Sequence, residues 1–167
     1  MEALEYYRSA LRIFQSLNML PEQAATFKSI GDIHLSQSLY DKSISYYVQA
    51  LDIVRHTNKL EQARILIRLA NAKTRKKDYA EARKLLGQAL TISLTIRSRP
   101  DLADCLLGLS KYFEAKNEYD SAFFYYKDYV DIKERYLDNS TQIARLESLK
   151  FQKTAERLKE DLSLIHI

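Results

Sequence analysis

Glycine and proline are scarce in this sequence, three and two among 167 residues. Sheets joined by tight turns and long structureless connections draw on both. Their scarcity argues against a strand-rich fold and leaves long helices, which the abundance of Leu, Ala, Tyr, Lys and Glu favours. Cysteine occurs once, so no disulfide forms within the chain. Cys105 lies between Asp104 and Leu106 in an apolar stretch and reads as a small hydrophobe. Long apolar runs are missing, and the first fifteen residues already carry Glu2, Glu5, Arg8 and Arg12. Neither a secretory leader nor a membrane span is expected, and the chain reads as soluble, without membrane contact. A lone thiol suits the cytoplasm, with the periplasm as the alternative. There is no glycine-rich phosphate loop, nucleophile elbow, His-Glu-x-x-His pair or paired cysteine, and His34, His56 and His166 include no i, i+4 metal pair. The expectation is a chain that is not an enzyme, with no catalytic or metal site and no cofactor.

What the sequence does contain is a repeat. Ala3 to Leu11, Ser43 to Leu51, Ala82 to Leu90 and Ala122 to Val130 align at offsets of 40, 39 and 40. Within each unit apolar and small residues recur at helical spacing, as at Ser43, Tyr47, Ala50, Leu51 and Val54. Tyr40, Tyr79 and Tyr119 precede that helix by a constant interval. A second apolar helix stands before each of these tyrosines, carrying Ile30 with Gly31, Leu69 with Ala70, and Leu109 with Ser110. Each unit is therefore a helical hairpin, in which Gly31, Ala70 and Ser110 facing Ala50 and Ala89 permit close approach. Turns are marked by Asn18 to Glu22, Thr57 to Leu60 and Arg97 to Asp101.

The pattern Tyr-x-x-Ala-x-x-Tyr-Tyr-x-x-Ala-Leu, legible at Tyr119 to Tyr126 and, with Ser43 for Ala, at Tyr40 to Leu51, resembles the tetratricopeptide repeat family over about residues 1–137. The period near 40 exceeds the 34 usual for that family, which implies longer helices. The resemblance implies an all-α fold: a right-handed α-solenoid of antiparallel helix pairs with a long C-terminal helix. The expected division is a repeat array over residues 1–138 and a capping or coiled-coil helix over 139–167. Ala3 already matches the middle of a repeat, so the first unit lacks its first helix and the face of Leu4, Tyr7 and Leu11 is expected to be exposed or to pack on another chain. From Ser140 onward, Ile143, Leu146 and Leu149 read as a cap on the array. Phe151, Ala155, Leu158, Leu162 and Ile165 follow at steps of four and three, a heptad seam that either frays or pairs two copies of the chain in a homodimer.

Charge is uneven. From Arg55 to Lys84, ten Lys or Arg stand against Glu61, Asp78 and Glu81, in a chain of net charge +4. Lys73, Arg75, Lys76 and Lys77 end a helix and read as a solvated cap. Because the family binds ligands along the first helices of its repeats, the resemblance implies a partner groove at Lys28, Asp32, Arg64, Arg68, Asn71 and Lys111, suited to a protein or an acidic peptide. Lys28, Arg64 and Arg68 resemble parts of the family's carboxylate clamp. Asp32 stands where that clamp has Asn, however, and the basic pair comes one repeat too early, so chaperone-tail binding is not implied. Nucleic acid is a lesser alternative, since the basic repeat lacks interleaved aromatics. Tyr126-Lys-Asp-Tyr-Val-Asp-Ile-Lys-Glu-Arg-Tyr136, followed by the heptad helix, resembles the sensory portion of bacterial tetratricopeptide signalling proteins, where such a helix leads to a diguanylate cyclase or histidine kinase. The rival is a plain adaptor.

Overall fold

A computed structural model of the chain describes residues 2–135 and 141–142. Two compact units are present, Met1–Val130 and Asp131–Ile167. The first contains α1 (Glu2–Ser16), α2 (Leu20–Ser36), α3 (Tyr40–Val54), α4 (Lys59–Arg75), α5 (Tyr79–Thr95) and α6 (Arg99–Ala115), and α7 at residues 119–130. In the second, residues 131–135 and 141–142 are helical, and Arg135 pairs with Asp131 at 2.7 Å. No described residue lies in a strand. The chain is thus all-α, with the antiparallel hairpins of a tetratricopeptide-like solenoid. The expected boundary at 138/139, the cap at Ile143 to Leu149 and the seam at Phe151, Ala155, Leu158, Leu162 and Ile165 lie outside the described residues.

Among the described residues, five of the six connections are the same three-residue turn. Its middle residue has positive φ: Asn18 at 52°, Ser38 at 59°, Lys77 at 67°, Arg97 at 54° and Asn117 at 62°. In each, the following N–H reaches back into the last helical turn, as from Leu39 to the His34 carbonyl and from Asp78 to the Lys73 carbonyl, both at 2.9 Å. This double closure satisfies carbonyls that a helix end leaves free, and the position is one where glycine is usual. The exception is Arg55 to Asn58, one residue longer and without a positive φ. There the Asn58 side chain accepts from the Glu61 N–H at 3.0 Å and starts α4.

Each helix packs on its successor, and α4 also touches α2 and α6, so the first helices of successive hairpins form a layer. The core follows the repeat: Ile30, Tyr47, Ala50, Ala70, Ala82, Leu86, Ala89 and Cys105 are 0–1 % exposed. Close approach is visible where the Ser110 hydroxyl donates to the Ala122 carbonyl at 2.9 Å and where the Cys105 sulfur sits 3.4 Å from the Leu86 carbonyl. Burial pushes the Cys105 thiol up to about 12, out of the reactive range. His34 is buried and stacks on Tyr46, ring centroids 5.4 Å apart. Burial lowers its pKa, and Lys42 and Arg8 add to the effect. On α1 no described side chain is buried. Leu4 and Leu11 are half-covered by packing on α2, while Tyr6, Tyr7, Ile13 and Leu17 are exposed.

Gly87 offers a direct check on this packing. It is exposed in the middle of α5, and a Cβ built there meets no atom within 4 Å. Glycine inside a helix costs roughly 0.5–1 kcal/mol relative to alanine. Gly87→Ala should therefore stabilise the chain by about that amount, raising the calorimetric Tm by a few degrees. A lowered Tm would show that α5 is covered at this position.

Candidate functional site

Helical spacing prepares the site. On α2, Lys28 and Asp32 are four residues apart; on α4, Arg64, Arg68 and Asn71 share one face; on α6, Asp101, Asp104, Gly108 and Lys111 do the same. The repeat offsets make Asp32, Asn71 and Lys111 equivalent positions on consecutive hairpins, and likewise set Arg68 level with Gly108. Between α4 and α6, with Lys28 at its edge, lies a cleft of about 460 Å³. Five of the six groove residues expected from sequence line it: Lys28, Arg64, Arg68, Asn71 and Lys111. Asp32 does not line it but is bonded to Arg68, which does. Another cleft, about 680 Å³, lies between α3 and α5 over α4, with Leu51, Leu66, Leu69 and Leu85 among its walls. Those four leucines are already buried as core.

Three of the four cations of the polar cleft are held by carboxylates of the protein itself. Lys28 pairs with Glu61 at 2.7 Å, crossing from α2 to α4. Glu61 also takes Arg64 at 2.9 Å, and Arg64 crosses to Asp101 on α6 at 2.8 Å. Burial alone would push the Glu61 carboxyl up, but hydrogen bonds from Lys28 and Arg64 outweigh it and hold the group below its ordinary range. Asp101 is only 2 % exposed in its side chain and also receives the Ser98 hydroxyl, in the first turn of α6 where the helix dipole favours a negative charge. Its hydrogen bond to Arg64 raises the guanidinium pKa. Separately, Arg68 donates to Asp32 Oδ1 at 2.7 Å, and the same oxygen accepts the buried Tyr47 hydroxyl at 2.5 Å. Burial, then that bond to Asp32, raises the Tyr47 phenol above its ordinary value.

The groove residues therefore do not all stand in the cleft as unpaired charges. Lys28, Arg64 and Arg68 are present in the cleft but neutralised, whereas Lys111 and Asn71 have no side-chain partner among the described residues. Sequence reading missed Glu61 and Asp101. The only signal for Asp101 was its place just after Pro100 at a helix start. The cap cluster is paired too, Lys73 with Asp78 at 2.8 Å and Lys76 with Asp41 at 2.5 Å. Among the described residues no group of His, Cys, Asp and Glu could hold a metal ion, and no helix is long and apolar enough to cross a membrane.

Residues 61–135 match the sequence model of the tetratricopeptide repeat family. Among solved structures, the crystal structure of BtubC (BKLC) from P. vanneervenii is similar, with a TM-score of 0.67 and 18 % sequence identity over 80 % of this chain and 56 % of that one. This chain thus spans little more than half the length of that protein, and at such identity the likeness concerns the fold alone. No curated protein matches the sequence. Helix order, turn geometry, repeat offsets and the family match agree: residues 61–135 match tetratricopeptide repeats, which typically form non-catalytic scaffolds and generally mediate protein interactions, and the chain has a tetratricopeptide-like helical repeat fold.

Proposed function

We propose that this scaffold binds a protein or peptide along the cleft between α4 and α6, and that it serves as the sensory or regulatory region of a larger bacterial signalling protein. The observation that carries the binding reading is the convergence of Lys28, Arg64, Arg68, Asn71 and Lys111, drawn from three successive hairpins, on one cleft. A ligand bridging these helices favours one relative arrangement of the hairpins over others, which is how binding would bias an output domain. The signalling part rests on the resemblance of Tyr126 to Tyr136 and the heptad beyond it, with self-association through Phe151 to Ile165 as the proposed means of transmission. An adaptor without output uses the same cleft. No catalytic role is proposed, and the cytoplasm remains the preferred compartment.

The nucleic-acid reading loses its footing. Of the ten cations between Arg55 and Lys84, six have a protein carboxylate within 3.5 Å: Arg55, Arg64, Arg68, Lys73, Lys76 and Lys84. A phosphate backbone would have to compete with each of them.

The test is capture of partners on immobilised protein. Glu at both Arg68 and Lys111 should abolish capture, while Ala at both Lys76 and Lys77 should leave it nearly unchanged. Equal losses from the two pairs would count against the cleft.

A further inference from the structure

We infer that Arg68 is the carboxylate-receiving residue of the cleft and that Asp32 is its built-in competitor, so that an acidic side chain of a bound peptide exchanges with Asp32 for the Arg68 guanidinium. This rests on the reading that the cleft takes a peptide, and adds which residue recognises it, what chemistry it recognises, and what holds the site closed without ligand.

The three paired cations differ in what their release leaves behind. If Arg64 turned to an incoming carboxylate, Asp101, with 2 % of its side chain exposed, would remain a buried charge without its ion partner. Lys28 is bound to Glu61, which Arg64 grips as well, and both Lys28 and Glu61 are largely covered, 20 % and 26 % exposed. Arg68 and Asp32 are a single pair, 45 % and 37 % exposed, of the kind whose strength in water is small. When Arg68 leaves, Asp32 keeps the Tyr47 hydroxyl and meets water, so nothing is stranded. Exchange is cheapest here, where both partners are the most exposed, and costliest at Arg64.

The surroundings of Arg68 suit an incoming carboxylate. Asn71, one turn along α4, and Lys111, on α6, line the same cleft with no side-chain partner among the described residues. Gly108, at the repeat position level with Arg68, also lines the cleft, and a Cβ there would meet Leu86 at 2.8 Å, so α6 packs closely at this level. The three equivalent positions on consecutive hairpins read acid, amide and amine: Asp32, Asn71 and Lys111. Of these three only the first carries a charge that repels an acidic ligand, and it is the one lying on the receiving arginine; Asp104, on α6, is a further acid of the cleft wall. Its present occupant also indicates the ligand group. A carboxylate oxygen, Oδ1 of Asp32, already sits 2.7 Å from the guanidinium.

The experiment uses the whole chain and a fluorescein-labelled, end-capped peptide of alternating glutamate and alanine, with the glutamine version as blank. Binding is followed by anisotropy, and the Arg68 Nε–H resonance by NMR. Asp32→Asn keeps an oxygen for Tyr47 but removes the competing charge, and should tighten glutamate-peptide binding roughly threefold to tenfold. Arg68→Gln should weaken glutamate-peptide binding in the otherwise wild-type chain and abolish the tightening when combined with Asp32→Asn. Asp41→Asn makes the same change of net charge beside Lys76, away from the cleft, and should alter affinity little. A phosphoserine peptide preferred over the glutamate one would overturn the choice of carboxylate. Equal tightening by Asp32→Asn and Asp41→Asn, or an Arg68 resonance unmoved by saturating peptide, would overturn the exchange while leaving the cleft as a binding face. Shifts confined to residues outside the cleft would overturn both, as would no binding even to Asp32→Asn.

Discussion

Arg64→Met should destabilise the chain by about 3 kcal/mol, whereas Arg68→Gln should cost less than about 1 kcal/mol. Both arginines stand on the same face of α4, both pair with one aspartate of a neighbouring helix, and both are a little under half exposed. The difference lies in the partners. Asp32 reaches water, so losing Arg68 returns it to solvent. Asp101 does not, and removing one member of a pair whose other member is buried typically costs 3–5 kcal/mol. The Ser98 hydroxyl and the start of α6 still favour the Asp101 charge, which places the expected loss at the lower end. Methionine keeps much of the apolar stem of Arg64, so the loss reports charge more than packing. Urea unfolding followed by circular dichroism measures both variants, and Asp101→Asn placed on Arg64→Met should restore part of the stability. Equal losses for the two arginine variants would mean that the exposure difference between Asp101 and Asp32 does not govern these pairs.

Gly31→Ala is the second large effect. A Cβ on Gly31 would fall 2.6 Å from Cε1 and 2.8 Å from Cδ1 of Tyr47, closer than carbon atoms pack. The ring has little freedom to yield, because Tyr47 is 0 % exposed and its hydroxyl is fixed on Asp32. Overpacking of this kind costs about 1–3 kcal/mol, and displacing the hydroxyl bond about 1 kcal/mol more. The gain of up to about 1 kcal/mol from replacing a helical glycine offsets only part of this. The variant should melt several degrees below the wild type, opposite in sign to Gly87→Ala. An unchanged or raised Tm would show that α2 and α3 separate at this crossing without cost.

The fold was legible because its information is local and repeated. Offsets near 40, helical spacing of apolar residues and the small residues at Gly31, Ala50, Ala70 and Ala89 each recur, and each recurrence supports the others. The residues of the cleft were legible for the same reason, since Lys28, Arg64, Arg68, Asn71 and Lys111 follow from helix phase plus repeat offset. Their electrostatic state was not. Lys28 with Glu61, Arg64 with Asp101 and Arg68 with Asp32 lie 33 to 37 residues apart in sequence, and a tally of charges cannot say which cation faces which acid. Ten cations against three acids looked like a basic patch because several of the neutralising acids, Asp32, Asp41 and Asp101, belong to adjacent repeats. The expectation that Tyr7, Leu4 and Leu11 share one open face failed in part because α1 still covers Leu4 and Leu11 against α2.

The spacing of helix starts has a consequence for how this chain tolerates change in length. From Leu20 to Tyr40, from Tyr79 to Arg99 and from Lys59 to Tyr79 the interval is 20 residues, but from Tyr40 to Lys59 it is 19. A helix advances 100° per residue, so a residue inserted before a fixed turn rotates the buried stripe away from its neighbours. The five three-residue turns, each locked by its left-handed middle residue, leave no slack to absorb such a rotation. The Arg55 to Asn58 connection is built differently: α3 is 15 residues, its turn is four, and a side-chain cap resets α4. Length variation among homologous chains should therefore concentrate at this single joint, which acts as an expansion gap in an otherwise fixed-gauge array.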